Sequence, residues 1–131
     1  MKGGDIMRLN PEIIRSIMLS VEENLSINEL GNIDPLFPDD IVEYPELKTY
    51  PKNEVIFYIK KLIEFNLLVK GKKYINSDCP TVIGITEKGY IFIDKINSND
   101  KWSKFKSYLK KAGTFTFETF IQVAISSMIN S

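Results

Sequence analysis

The chain has 131 residues, 44% of them hydrophobic and 26% charged, and its formal net charge is zero. This length fits one domain with a substantial core, and the absence of histidine excludes His-based triads and His metal sites. Cys79 is the only cysteine, which excludes an internal disulfide. We recognise neither a signal peptide nor an apolar run of membrane-spanning length, and therefore expect a cytoplasmic protein without membrane contact.

The first predicted helix begins at Asn10–Glu12, which combine a capping side chain, a proline suited to the first turn and an acid at the positive helix end. Apolar residues at a spacing of three and four continue this helix to about Leu25.

The segment from Ser26 to Tyr50 is the least regular part of the chain. Gly31 and three prolines disfavour a long helix there. Residues Asp39 to Glu43 are a candidate for a short edge strand. Whether the rest of the segment is helix, strand or loop stays open.

The next predicted helix begins between Pro51 and Asn53 and ends at Phe65 or Asn66, since asparagine tolerates the left-handed conformation that ends many helices. Its apolar face consists of Val55, Tyr58, Ile59, Leu62 and Phe65.

Two segments rich in β-branched residues, Leu67–Ile75 and Thr81–Ile85, follow and are predicted to pair as strands. The turn between them lies either at Gly71 or in the loop Asn76–Pro80. Thr86 is then expected to cap a helix from Glu87 to Ile96, in which Gly89 allows close approach to the sheet.

Two further helices are predicted at the carboxyl end. Ser98, Asn99 or Asp100 caps the first, which buries Trp102, Phe105 and Leu109 on one face and ends at Gly113. Thr116 caps the last helix, which is apolar nearly all round and must therefore be buried in its own domain or against a partner. We expect both, with some of the following residues reaching a partner: Phe117, Phe120, Ile121, Ile125 and Met128.

Five motifs spread along the chain carry a family resemblance. They are residues 11–24, Val55–Leu62, Ile85–Gly89, Lys101–Lys104 and Thr116–Glu118. In order and spacing they resemble a family of small bacterial and phage proteins known only as domain-of-unknown-function family 2513. The resemblance implies a winged-helix-like fold and a bacterial or phage setting, and it implies no catalytic residues.

We therefore predict an α+β fold in two parts. Residues 1–97 form a winged helix-turn-helix-like domain with a small antiparallel wing sheet. Residues 98–131 form a C-terminal extension of two helices, which packs on this domain or on a second subunit.

The charges are unevenly distributed. Residues 1–50 hold 4 basic and 10 acidic residues, a balance of −6, whereas residues 51–113 hold 13 lysines and 6 acidic residues, a balance of +7. No basic residue lies between Arg15 and Lys48. Such asymmetry indicates either a basic binding surface in the second half or two halves that pack against each other.

The basic helix and wing lead to the first hypothesis, a non-enzymatic regulator that binds double-stranded DNA without a cofactor, metal or small-molecule substrate. Lysines contact phosphates, and asparagine can read adenine. Against it stand a pI near 6.3 and the presence of only two arginines, the usual guanine readers. The candidate DNA-binding residues are Lys52, Asn53, Phe57, Lys60, Lys61, Lys70, Lys72 and Lys73.

Two alternatives remain. The first is a protein-interaction or homodimerisation module without DNA binding. The second and more remote is a Mg²⁺-dependent nuclease, because Asp39, Glu46 and Lys48 imitate the carboxylate–lysine signature of such enzymes. Only six residues separate the two carboxylates, and Pro45 interrupts them, so two adjacent strands hardly fit.

Overall fold

The computed structural model describes residues 9–112 and 116–129, which form an α+β fold of six helices and a two-stranded antiparallel sheet. The predicted α+β class and small antiparallel sheet are thereby confirmed. Gly113, the predicted end of a helix, lies outside the described residues. In chain order the elements are α1 (Pro11–Asn24), α2 (Pro38–Ile41), α3 (Lys52–Glu64), β1 (Leu68–Lys70), β2 (Val82–Ile85), α4 (Glu87–Ile96), α5 (Asn99–Ala112) and α6 (Phe117–Ile129).

Helix α1 starts and ends as predicted. The Asn10 side chain accepts a hydrogen bond from the Glu12 N–H at 3.1 Å, which satisfies a free donor of the first turn. The Asn10 N–H in turn donates to the Tyr58 hydroxyl at 2.8 Å, so the start of α1 is tied to α3. The buried apolar residues of α1 are Ile13, Ile14, Ile17, Met18 and Val21.

The predicted edge strand at Asp39–Glu43 is wrong. Pro38 occupies the first position of α2, and the two aspartates that follow lie in its first turn, where carboxylates are favourable. Turns follow this single helical turn up to Tyr50. An isolated bridge forms instead at Leu36, whose N–H donates to the Val82 carbonyl at 2.8 Å and whose carbonyl accepts from the Val82 N–H at 2.9 Å.

Helix α3 ends at Glu64. Two residues later, Asn66 has a φ of 66°, the left-handed conformation that was expected at this helix end. Strands β1 and β2 pair with a bulge between Val69 and Lys70, which makes the ladder of hydrogen bonds irregular. Both strands are shorter than predicted. Beyond the bulge, Thr81 still pairs with Gly71 and Lys72 through bonds of 2.7 and 3.0 Å. The chain therefore reverses beyond Lys72 and not at Gly71.

The connection from the sheet to α4 confirms two predictions. The Thr86 hydroxyl accepts from the Gly89 N–H at 2.9 Å, which caps the helix. A Cβ atom on Gly89 would collide with the Leu67 carbonyl oxygen and would lie 2.7 Å from Ile85 Cγ2. Only glycine fits this close approach of α4 to the strands without a shift of backbone atoms.

Helices α5 and α6 pack on α4 and share one continuous hydrophobic core with the preceding elements. Three rings meet at this junction: Phe92 of α4 lies 6.4 Å from Phe105 of α5 and 5.8 Å from Phe120 of α6. Ser98 and Thr116 cap the two helices, accepting from the Lys101 and Thr119 N–H groups at 3.2 Å each.

A polar clamp, formed by Glu12, Arg15, Trp102 and Lys106, ties α5 to α1. The Glu12 carboxylate accepts from the Trp102 indole N–H at 3.0 and 3.1 Å and from the Lys106 ammonium at 2.9 Å. The Arg15 guanidinium lies 5.3 Å from the centre of the indole ring and donates to the Ile96 carbonyl at 2.8 Å. Helix α5 is thus joined to the amino-terminal helix by specific polar contacts as well as by the core.

None of the described helices has both the length and the apolar character needed to cross a bilayer.

Candidate nucleic-acid interface

Helix α3 and the hairpin β1–β2 enclose a shallow cleft of about 320 Å³. Lys60 reaches it from α3, while Lys70 and Lys73 reach it from the hairpin. Glu64 and Asp78 add two carboxylates to the same lining. Three of the eight predicted DNA-binding residues therefore lie around one cleft.

The outer face of α3 follows from its periodicity. The buried residues of α3 point into the core, so the opposite side of the helix is turned outward; they are Val55, Tyr58, Ile59 and Leu62. Phe57 is partly exposed on this face, and the Lys61 ammonium lies 5.6 Å from the centre of its ring. An aromatic ring and a cation therefore lie together beside the cleft without lining it.

The three predicted lysines of α3 are each close to a carboxylate. Lys52 lies 2.8 Å from Glu43, Lys61 lies 3.5 Å from Glu64, and Lys60 lies 3.8 Å from Asp78. These partners lower the positive potential of the helix, and an incoming phosphate must compete with them.

The hydrogen bond between Lys52 and Glu43 shifts the pKa of both side chains: it lowers the pKa of Glu43 and raises the pKa of Lys52. Both side chains are largely exposed, so the pair is screened by water and salt. Lys52 and its exposed neighbour Asn53 lie at the start of α3 and do not line the cleft.

The hairpin lysines have fewer partners. Lys70, Lys72 and Lys73 are exposed and form no ion pair with any residue in the ranges 9–112 and 116–129. Lys72 does not line the cleft, and its ammonium lies 5.9 Å from the centre of the Tyr74 ring. The least compensated positive charge of the candidate site is therefore on the hairpin.

A second cavity of about 260 Å³, missed by the sequence analysis, is lined by residues at the start of α2 and in the loop that joins β1 and β2. Phe37 and Tyr74 line it with ring centres 5.2 Å apart, and Asp39 and Cys79 also contribute. Burial raises the pKa of the Cys79 thiol to about 11, which outweighs the opposite effect of Lys60. The thiol is therefore protonated and weakly nucleophilic at neutral pH. No local sequence signal marks this cavity, because Phe37 and Tyr74 are 37 positions apart.

The residues of the nuclease hypothesis have separate surroundings. Asp39 is exposed in α2, Lys48 is exposed in the following turns, and Glu46 accepts a hydrogen bond from the Ser20 hydroxyl at 3.0 Å. Within the part of the chain that the structure describes, no three acidic or cysteine side chains group as a metal site would require.

The predicted partner residues of α6 are mostly covered by their own chain. Phe117, Phe120 and Ile121 are buried in the core, whereas Ile125 is half-buried. The side chain of Met128 lies outside the described residues. Contact of α6 with a partner stays a prediction.

A family model described as a hypothetical protein family, DUF2513, matches residues 8–115. No curated protein and no solved structure matches the chain. The match spans every described element from α1 to α5 and includes the whole cleft between α3 and the hairpin. The chain therefore belongs to the DUF2513 family.

Proposed function

We propose that this protein is a non-enzymatic winged-helix regulator that binds double-stranded DNA through α3 and the hairpin. The observation that carries the proposal is the convergence of Lys60, Lys70 and Lys73 on one cleft from two separate elements. Phosphate contacts supply most of the non-specific affinity of a protein for DNA, and they require such a cluster of cations.

The order of the elements supports a winged helix. Helix α1, the bridging residue Leu36, α2, α3 and the hairpin follow one another, and Leu36 and β1 lie on opposite sides of β2. In this arrangement α3 takes the place of the recognition helix and the hairpin that of the wing. The major groove, roughly 12 Å wide, accepts an α-helix of this kind.

The residues divide into two roles in this proposal. Lys60, Lys70 and Lys73 contact phosphates and fix the position of the protein on the duplex. Asn53 lies in the first turn of α3, where residues of a recognition helix commonly reach base edges, and its amide can pair with adenine.

Weak sequence preference is expected. Arg15 is held by Ile96 and Trp102, so it is not a guanine reader of the α3 face. One bidentate contact from Asn53 distinguishes bases by only about 1–3 kcal/mol. Binding should therefore depend more on salt than on sequence.

The test is a fluorescence-anisotropy titration of a labelled random-sequence duplex at several salt concentrations. Three phosphate contacts predict a slope of log K against log salt of about −3. The variant Lys60→Glu/Lys70→Glu/Lys73→Glu should lose at least about a hundredfold in affinity at low salt. The same duplex incubated with Mg²⁺ should remain uncut.

A matched control makes the same charge change elsewhere. Lys104, Lys110 and Lys111 are exposed on α5 and do not line the cleft. Lys104→Glu/Lys110→Glu/Lys111→Glu should retain affinity within a few-fold, because only distant screened charges change. Absence of binding by the wild type at low salt, or equal losses in both triple variants, would refute the proposal.

A further inference from the structure

The loop between α1 and α2 is held by a compact set of hydrogen bonds. The Asn28 side-chain oxygen accepts from the Leu30 and Asn32 N–H groups at 3.0 Å each, and its amide donates to the Asp34 carboxylate at 3.1 Å. The Asn28 N–H donates to the Asn32 carbonyl at 2.7 Å. Gly31 takes the positive φ of 82° that the turn needs. The loop therefore has a defined shape.

This loop displays apolar side chains to solvent. Leu30 is 85% exposed and Ile27 72% exposed, and Ile33 is exposed beside them. We call these three residues the apolar loop. Apolar side chains that are exposed next to each other on an ordered loop are a candidate surface for another molecule to cover.

The surroundings of the apolar loop are acidic. Glu22 and Glu23, near the end of α1, and Glu29, within the loop, are exposed and form no ion pair within residues 9–112 and 116–129. No basic residue lies between Arg15 and Lys48 to balance them. A complementary partner must therefore be both apolar and basic.

The hairpin tip of this same chain has that chemistry. Lys70, Lys72 and Lys73 are unpaired within the described ranges, and they are followed by the exposed Tyr74 and by Ile75, which is 99% exposed. We call these five residues the hairpin tip. Because Leu30 and Ile75 are both open to solvent, the two surfaces do not cover each other within one chain.

We propose that copies of this protein associate head to tail, with the apolar loop and its glutamates of one copy against the hairpin tip of the next. A head-to-tail contact of this kind joins two different surfaces, so it is heterologous and leads to a ring or an open chain of subunits, whereas reciprocal pairing of two copies would give a closed dimer. It does not depend on the DNA-binding proposal and does not use α6. Since Lys70 and Lys73 serve both proposals, bound DNA should compete with self-association.

The first experiment is sedimentation of the full-length wild-type protein, free of nucleic acid, at low and at high salt. Association is expected at about 10 mM salt, where charges interact over roughly 30 Å, and should weaken markedly at high salt. A wild type that remains monomeric at low salt and high protein concentration would overturn the proposal.

The second experiment is a charge swap. Glu22→Lys/Glu23→Lys/Glu29→Lys and Lys70→Glu/Lys72→Glu/Lys73→Glu should each associate at least about tenfold more weakly, because each then opposes like charges across the contact. An equimolar mixture should regain association, since each variant carries the charges that the other lacks. Undiminished association of both variants, or no recovery in the mixture, would contradict the contact.

Single apolar substitutions test the same contact in case a triple variant loses association because it misfolds. Leu30→Ser and Ile75→Ser alter side chains that make little contact with their own chain, so circular dichroism and melting temperature should not change. Each should weaken association severalfold at both salt concentrations. Tyr108→Ser, at an exposed position on α5, is the control and should leave association unchanged. Equal effects at positions 30, 75 and 108 would refute the proposal.

Discussion

Two lysine–glutamate pairs of nearly equal length lie in different surroundings. Lys106–Glu12 measures 2.9 Å and Lys52–Glu43 measures 2.8 Å. In the first, each side chain is 43% exposed and Glu12 also binds the indole of Trp102; in the second, the exposures are 69% and 56%. The distance between opposite charges therefore says little about what the pair contributes to stability, which depends on burial and on further partners.

The largest expected effect comes from removing the ring at the centre of the polar clamp. Trp102 is 4% exposed, so Trp102→Ala leaves a cavity and deprives Glu12 of a donor. The free energy of unfolding should fall by about 3–5 kcal/mol. Urea unfolding followed by circular dichroism measures this change. Tyr108→Ala on the same helix is the control and should cost no more than about 0.5 kcal/mol.

A smaller effect is expected at the carboxylate of the clamp. Glu12→Ala removes the acceptor of both the indole N–H and the Lys106 ammonium, but the Glu12 and Lys106 side chains are each 43% exposed, so water can take the place of the carboxylate. We expect a loss of about 1–2 kcal/mol, measured by the same urea unfolding. If Glu12→Ala were as stable as the wild type, the clamp would be no stronger than an ordinary surface pair.

The smallest effect is expected for the exposed pair. Glu43→Ala should leave the unfolding midpoint at neutral pH close to that of the wild type, because solvent screens both charges. The pKa of Glu43 is lowered, so its contribution is present above the ordinary carboxyl value of 4.5 and is lost as the pH falls through the lowered pKa. Any difference between the melting temperatures of wild type and Glu43→Ala should therefore shrink progressively as the pH falls below about 4.5. A large difference at neutral pH would contradict this reading of the pair.

Local signals in the sequence were sufficient for several elements. Asn10 and Thr86 mark helix starts because their side chains bond N–H groups only two or three residues away. The helix end at Asn66 and the close approach at Gly89 could likewise be predicted, because a tolerated left-handed conformation and a missing Cβ are each properties of one residue. At α2 the local signal was misread: Pro38 followed by two aspartates favours a helical first turn over an edge strand.

Contacts between distant residues could not be predicted in the same way. The pairing of Leu36 with Val82 and the bonding of Glu12 to Trp102 join residues 46 and 90 positions apart. The sequence indicated the lysines of α3 and the hairpin, but not the carboxylates near them. Asp78 approaches Lys60 only because the hairpin folds back beside α3.

The polar clamp also contains an intrinsic fluorophore, the indole of Trp102. Trp102 is the only tryptophan. The cations of Arg15 and Lys106 lie 5.3 and 5.5 Å from the centre of its indole ring, and its N–H donates to Glu12. Ultraviolet emission therefore reports on the docking of α5 against α1, with no contribution from a tryptophan on α3 or the hairpin. If the protein binds DNA as proposed, a constant emission spectrum during a titration with DNA would show that this docking is kept in the complex.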